Sequence, residues 1–398
     1  MKQSAYEAYD LRTILYPITP EEFFAEYYEK KPLLIRRNDP GYFSQLLSYE
    51  EVDRVITTLG LSHPAIEATN AQKPITSGDY TFPSGMIDAT RLYQQFAEGA
   101  TNILPQLHDR VAPLAHLCRA LEQEMSARFQ TNIYLTPGGE QQGFRTHFDS
   151  HDVFVLQVSG TKKWSIFDTP VELPYRGMRF DATQVQAKEL TAEFDLGPGD
   201  TYYLPRGVMH HAVTQAGGSL HITLGVLHAS WTDLLVESLA QVGLHDSSFR
   251  RSLPSGFARE GFDRTEAKAR FRDLLNRFVE SAEFDTALDY FAADLVSTRH
   301  PLIEGQMAQV MRLPTLTVDS IVGARPNLLF HFSESEERVT VSCCGRDTTM
   351  PAFAGPTLRN VLGSGRVRVG DLAGELDEAG KLVLVRRLIL EGLARIVD

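Results

Sequence analysis

The feature that most constrains this chain is a change of rhythm after Thr131. From there, short apolar runs alternate with Gly, Pro and Asp turns through NIYLTPGG, DVFVLQVSGTKKWSIF, LGPGDTYYLPRG and SLHITLGVLHA. Short strand-type runs bounded by such turns are the pattern of an antiparallel sandwich or barrel. The Ser159-Gly160 step between two of these runs reads as a hairpin turn.

The flanks follow a different period. ITPEEFFAEYYEKKPLLIRR reads as a capped helix, with Thr19 as N-cap and Pro20 in the first turn, ended by Pro32 before the strand-like LLI. From about Asp88 to Phe129 the pattern is helical, and LAHLCRALEQEMSARF sets Leu114, Leu117, Leu121 and Met125 on one face. Past Ser230 helical periodicity returns, with Phe271, Leu274, Leu275, Phe278 and Val279 forming an apolar stripe that needs a partner face. A third composition starts near Gly305. There LLFHFSESEERVTVSC is strand-like, and GKLVLVRRLILEGLARIV places Leu382, Val385, Ile389, Leu393 and Ile396 on a helical face. At 398 residues with 43% hydrophobic content, the chain is expected to form two or three domains.

A net charge of −12 gives no general electrostatic footprint for nucleic acid. From Gly305 onward, Lys plus Arg and Asp plus Glu number eleven each, so direct DNA binding by this segment is not expected. A denser basic run from Phe249 to Phe278 is accounted for by solvated helix faces, or by a basic or RNA-associated protein partner. No basic segment followed by a signal-length apolar run opens the sequence, and no stretch reaches the roughly 18 apolar residues of a membrane span. The expected location is the cytoplasm. The three cysteines, including adjacent Cys343 and Cys344, form neither a disulfide framework nor a CxxC motif, and read as core or surface thiols.

The chemistry-bearing constellation starts at THFDSHD. His147 and Asp149 are two apart, so in an extended strand both side chains point to the same face. Alone, the pair reads as a capping aspartate beside a surface histidine. Downstream, LGPGDTYYLPRGVMHHA supplies a turn, a strand and a second turn leading into His210 and His211. A sandwich brings this strand beside the first, giving two imidazoles and a carboxylate on one side of a metal, the facial triad of non-haem Fe(II) oxygenases. Lys162, fifteen residues after His147, shares a strand face with Trp164, so an inward Trp164 implies an inward lysine. A lysine buried there needs an anionic partner, such as the distal carboxylate of 2-oxoglutarate. Strand alternation allows only one of His210 and His211 to face the metal. His151 reads as a rim residue, while His221 and Thr223 lie on a strand able to line the pocket.

These motifs, HFDSHDVFVLQVSGTKKW with NIYLTPGG upstream and LPRGVMHHA and SLHITL downstream, resemble the JmjC-type ribosomal oxygenases, the cupin-4 group of 2-oxoglutarate oxygenases. The EEFFAEYYEKKPLLIRR segment fits as well, so the specific resemblance runs from Ile18 to about Ala229. It implies a mixed α+β chain: a double-stranded β-helix (jelly-roll) oxygenase domain over 1–229, a helical dimerisation region over 230–304 and a winged-helix-like domain over 305–398. It also implies iron ligands at His147, Asp149 and His210, selecting His210 over His211, and 2-oxoglutarate held by Lys162 and Tyr134. This chain has one extra residue between Tyr134 and His147 relative to the family pattern. The activity implied is Fe(II)- and 2-oxoglutarate-dependent hydroxylation of an arginine or histidine side chain of a ribosomal protein, by a homodimer. Rival readings are the same chemistry on a tRNA base or biosynthetic peptide, or a non-catalytic metal-binding cupin scaffold.

Overall fold

A computed structural model describes residues 5–397. Helices α1 (Leu11–Leu15), α2 (Pro20–Glu26) and α3 (Tyr49–Thr58) come first, interrupted by strand β1 (Leu33–Ile35). Strand β2 (Glu67–Thr69), helix α4 (Ala89–Ala97), strand β3 (Thr101–Pro105) and helix α5 (Ala112–Met125) lead into the strand-rich part. That part contains β4 (Arg128–Thr136), β5 (Asp152–Ser159), β6 (Lys162–Phe167), β7 (Leu190–Leu196), β8 (Thr201–Leu204), β9 (His210–Thr214) and β10 (Ser219–Leu227). Thr19 caps α2 as expected, its Oγ1 accepting the Glu22 N–H at 3.1 Å, with Pro20 opening the helix.

Two antiparallel sheets make the jelly roll. The larger runs β1-β8-β5-β10-β4-β3-β2 and the smaller runs β7-β6-β9. Strand β5 shows how they are used. Phe154 and Leu156 point outward into a core shared with Phe23 of α2 and Leu114, Leu117 and Leu121 of α5. Val153 and Val155 point inward, into a second core with Trp164 and Ile166 of the smaller sheet. A strand covered on both faces reads as a continuous β-branched and aromatic run rather than an alternating one, which is why DVFVLQV does. Each fully buried side chain of this size contributes roughly 1.5–3 kcal/mol.

The structure corrects three expectations. The Ser159-Gly160 step is not a hairpin: β5 pairs with β8 and β10, whereas β6 pairs with β7 and β9, so the turn carries the chain from one sheet to the facing one. Gly160 sits at φ +65°, and a Cβ there would lie 1.7 Å from the carbonyl oxygen of Gly218. The stretch from Asp88 to Phe129 is not helical throughout, because Thr101–Pro105 forms β3 and pairs with β2 and β4. Sheet pairing outweighs local propensity there.

After β10 come helices α6 (Trp231–His245), α7 (Thr265–Ser281), α8 (Phe284–Ser297) and α9 (Gln306–Arg312). Ser230 caps α6 reciprocally with Asp233. The C-terminal segment has strands β11 (Ile321–Ala324), β12 (His331–Glu334), β13 (Arg338–Cys343) and β14 (Arg346–Pro351), helix α10 (Gly355–Gly363), strand β15 (Val367–Arg368), helix α11 (Glu378–Leu390) and strand β16 (Ala394–Ile396). Its hydrophobic core is separate, built on Val339, Val341, Leu358, Val385 and Leu388. The third correction lies here. Leu393 and Ile396 do not continue the face of α11: the helix stops at Leu390, Gly392 turns the chain at φ +76°, and Ile396 pairs with Val322.

Gly160→Ala is expected to destabilise the protein by roughly 2–3 kcal/mol, since both the backbone region and the space exclude a Cβ. Chemical denaturation against the parent chain measures this, and a loss below a few tenths of a kcal/mol would contradict the close approach of Gly160 to the Gly218 backbone.

Candidate metal centre

The structure does not place His147 and Asp149 in a strand. Both lie in the extended loop just before β5, and order comes from long-range contacts. His147 and His210, at the start of β9, exchange backbone hydrogen bonds: His147 N donates to His210 O at 3.1 Å and His210 N donates to His147 O at 2.8 Å. This reciprocal bridge sets the two imidazoles side by side, ring centroids 4.7 Å apart. Asp149 O accepts the Gly207 N–H at 3.0 Å, tying the same loop to the turn that precedes β9.

Beneath the loop lies a group the sequence did not single out. Asp152 is fully buried and accepts from the Tyr203 hydroxyl at 2.7 Å, the Arg206 backbone N–H at 3.0 Å and the Arg206 guanidinium at 3.1 Å. Arg206 also pairs with Glu29, which follows α2. A buried charge is tolerated only when paired and hydrogen-bonded in this way. The network fixes the base of the 147–151 loop against the 205–207 turn. Only the His151-Asp152 step and the Pro205-Arg206-Gly207 turn hint at it in the sequence, because their contact is made through folding.

The side chains of His147, Asp149 and His210 converge. One ligand atom from each lies within 4.8 Å of the others, with His147 Nε2 4.0 Å and His210 Nε2 3.7 Å from the two Asp149 carboxylate oxygens. The Nδ1 of His147 faces Arg145 O at 2.8 Å and that of His210 faces Val208 O at 3.0 Å. A carbonyl only accepts, so each Nδ1 carries the proton and each Nε2 lone pair points to the common centre. Burial, with His147 adjacent, lowers the His210 imidazole to about 4, so it stays neutral and able to donate a lone pair. Burial alone would raise Asp149, but the facing imidazoles of His210, His147 and His151 hold it below the ordinary carboxylate value.

A pocket of about 580 Å³ opens from these three residues between the two sheets. Its walls include Tyr134, Lys162, Trp164, His221 and Thr223. Lys162, at the start of β6, is only 4% exposed and shares its inward face with Trp164. Among the described residues it has neither a carboxylate nor a hydrogen-bond partner, and burial lowers its ammonium to about 7. Tyr134 stacks on His221 with ring centroids 4.9 Å apart, and burial raises its phenol above the ordinary value, helped by the charge of Asp149. His221 is itself buried, with Nδ1 unpartnered. His211 also reaches the cavity wall, but its Nδ1 is 2.9 Å from Thr146 Oγ1 and it lies outside the three-residue cluster. The Nδ1 of His151 lies 3.2 Å from Asp152 O.

Residues 106–234 match the family model described as the JmjC domain. The chain is 32% identical over 257 residues to the bifunctional lysine-specific demethylase and histidyl-hydroxylase NO66 of Drosophila willistoni, an alignment covering 61% of this chain and 33% of that protein. Against NO66 of Aedes aegypti it is 28% identical over 297 residues, 70% of this chain and 46% of the relative. It therefore spans less than half the length of these curated relatives. Among solved structures, E. coli ycfD aligns over 96% of this chain and 98% of its own with a TM-score of 0.56 and 14% identity. The E. coli ribosomal oxygenase YcfD in complex with cobalt and 2-oxoglutarate aligns with a TM-score of 0.52 at the same identity. At that identity the likeness establishes the fold, a JmjC cupin-type jelly roll within a chain of mixed helix and sheet.

The unpaired lysine has a stability consequence with a definite sign. Its folded-state value lies near 7 and its unfolded value near 10.5, so between these the unfolded chain binds more protons and stability rises with pH. In the ligand-free protein, Lys162→Met is expected to raise the melting temperature most at or below pH 7, with the gain shrinking toward pH 10. Paired thermal melts across this range measure it. A gain that grows with pH, or a loss of stability at every pH, would contradict an unpaired buried ammonium.

Proposed function

We propose that this protein is an Fe(II)- and 2-oxoglutarate-dependent oxygenase that hydroxylates an arginine or histidine side chain of a ribosomal protein. The observation that carries the reading is the pairing of an open three-ligand cluster with an uncompensated buried lysine in one pocket. Two imidazoles and one carboxylate suit a ferrous ion with coordination positions left vacant. A buried ammonium without a counter-ion suits the distal carboxylate of a dicarboxylic cosubstrate, whereas a scaffold that binds metal for stability gains nothing from it. The relatives' names, histidyl-hydroxylase and ribosomal oxygenase, support the substrate class. So does the net charge of −12, which is complementary to basic ribosomal proteins.

In this reading His147, Asp149 and His210 hold the metal, and Lys162 and Tyr134 hold the cosubstrate's far carboxylate. Together, iron and 2-oxoglutarate supply oxidising power from dioxygen sufficient for an unactivated C–H bond, with succinate and carbon dioxide as by-products. The chain's own contribution is placement. Backbone carbonyls of Arg145 and Val208 fix the imidazole tautomers, the Asp152–Arg206 network keeps Asp149 beside them, and apolar Val153, Val155 and Trp164 keep water from the enclosed part of the pocket. Lys162 takes up a proton above pH 7 when a carboxylate binds, so cosubstrate affinity weakens as pH rises beyond that value.

The rest of the chain completes the reading. We assign 1–229 to the oxygenase domain, 230–304 to a helical dimerisation region and 305–398 to a winged-helix-like domain that docks protein rather than DNA. Support for a homodimer comes from α7, where no residue is buried and Phe271, Leu275 and Val279 are exposed together, Val279 at 78%. The proposed location is the cytoplasm. Among the described residues no helix is long and apolar enough to cross a membrane.

Purified protein with Fe(II) is expected to turn over 2-oxoglutarate. Alanine at His147, Asp149 or His210 should weaken metal binding by at least about 100-fold. Lys162→Ala should raise the KM for 2-oxoglutarate while leaving metal affinity intact. Ribosomal proteins from cells lacking the gene should be lighter by one oxygen on one protein. Unchanged ribosomal masses together with intact 2-oxoglutarate turnover would redirect the proposal to a tRNA base or a peptide substrate. Absence of turnover would support the scaffold. Sedimentation at micromolar concentration should give a dimer, and Leu275→Glu with Val279→Glu should weaken it at least ~10-fold. A monomeric parent protein would remove the dimer.

A further inference from the structure

The adjacent thiols Cys343 and Cys344 lie outside the metal pocket and have no part in the chemistry described above. Strands β13 and β14 are joined by a two-residue turn, Cys344-Gly345, with φ +53° and +71°. Left-handed values at both positions make this the mirror-image turn that favours Asn-Gly or Gly-Gly. A cysteine in the first position is conformationally costlier than asparagine or glycine there. Here the left-handed turn brings the two sulfurs together, with Cys343 Sγ donating to Cys344 Sγ at 3.4 Å.

The surroundings favour a thiolate on Cys344. A small cleft at the seam between α5 and the C-terminal segment is lined by both cysteines with Arg119, Arg325 and Arg346. Glu391 is the one carboxylate among its lining residues, while Arg119 is paired with Glu122 at 2.9 Å. The Arg325 Nε is buried without a partner. Cys344 is only half-buried, so a small molecule can reach it, whereas Cys343 is 8% exposed. The bond from Cys343, with Arg119 and Arg346, brings the Cys344 thiol down to about 6 against the opposing effect of burial, and the same bond pushes Cys343 up. The turn is anchored on the helical region: Cys344 N donates to Val296 O at 3.2 Å, at the end of α8.

We infer that Cys343 and Cys344 form a redox-modification site, with Cys344 the peroxide-reactive nucleophile and Cys343 the resolving thiol that closes a vicinal disulfide. In the first step the Cys344 sulfur attacks one oxygen of a hydroperoxide. A sulfur–oxygen bond forms as the oxygen–oxygen bond breaks, and the departing oxyanion takes a proton from water. In the second step the Cys343 sulfur attacks the sulfenic sulfur of Cys344. The disulfide forms, the sulfur–oxygen bond breaks, and hydroxide leaves as water with the Cys343 proton. The two thiols lose two electrons and the hydroperoxide gains them. Neighbouring Cα atoms lie ~3.8 Å apart, below the usual disulfide span, so the ring is strained and readily reduced. Cys118, fully enclosed in α5 and with its thiol raised by burial, stays unreactive and is the internal control.

The test treats the full-length protein with equimolar hydrogen peroxide, then alkylates under denaturing conditions and maps peptides. The peptide holding Cys343 and Cys344 is expected to lose two hydrogens, resist alkylation and recover both labels after dithiothreitol, while Cys118 labels fully throughout. Cys343→Ser should leave a dimedone-reactive sulfenic acid on Cys344. Cys344→Asn suits the same turn and should fold with unchanged or higher melting temperature and leave Cys343 unoxidised. Full alkylation of both cysteines after peroxide would overturn the proposal. So would oxidation of Cys118 at the same rate, or sulfinic acid on Cys344 with no ring. These readouts do not depend on oxygenase activity.

Discussion

An ammonium group with no counter-charge, held between two β-sheets, is the constraint around which this structure is arranged. Lys162 reaches that position because the chain crosses from the larger sheet to the smaller at Gly160, where backbone meets backbone too closely for any side chain. The crossing sets the first residue of β6 facing the interior, two residues before Trp164, which packs against the ring of His210. The lysine on β6 and the cluster of His147, Asp149 and His210 thus line one pocket. Burying an unpaired charge lowers stability, and a fold keeps such a group where a ligand completes it.

The second organising interaction is the reciprocal backbone bridge between His147 and His210. Loop and strand end are far apart in sequence, and loops carry functional groups well only when a rigid scaffold positions them. Here the scaffold is the bridge above and the Asp152–Arg206–Tyr203 network below. The bridge and the network hold the two imidazoles and the carboxylate of Asp149 together. Such pre-organisation is what a catalytic site, as opposed to a surface cluster of acidic and imidazole groups, requires.

Much of this was legible in the residues. The turn-punctuated apolar runs from Thr131 onward gave the antiparallel sheets, and the HxD step with a later HH pair named the candidate ligands. The inward direction of Lys162 followed from Trp164, since alternation is local and needs no tertiary information. What was not legible came from long-range pairing. Thr101–Pro105 is a strand only because β2 and β4 flank it, and His147 and Asp149 are aligned by partners sixty residues away rather than by a strand of their own. The periodicity of the last helix concealed its end at Leu390, because Leu393 after the Gly392 turn and Ile396 of β16 continued the pattern by chance. The Asp152 network had no motif, since a buried ion pair is defined by the groups that fold onto it.

The most direct test is anomalous diffraction from crystals grown with cobalt and 2-oxoglutarate. The account predicts a single strong peak bounded by His147 Nε2, His210 Nε2 and an Asp149 carboxylate oxygen, with the far carboxylate of 2-oxoglutarate on the ammonium of Lys162. A peak bound elsewhere, or a cosubstrate oriented away from Lys162, would contradict it.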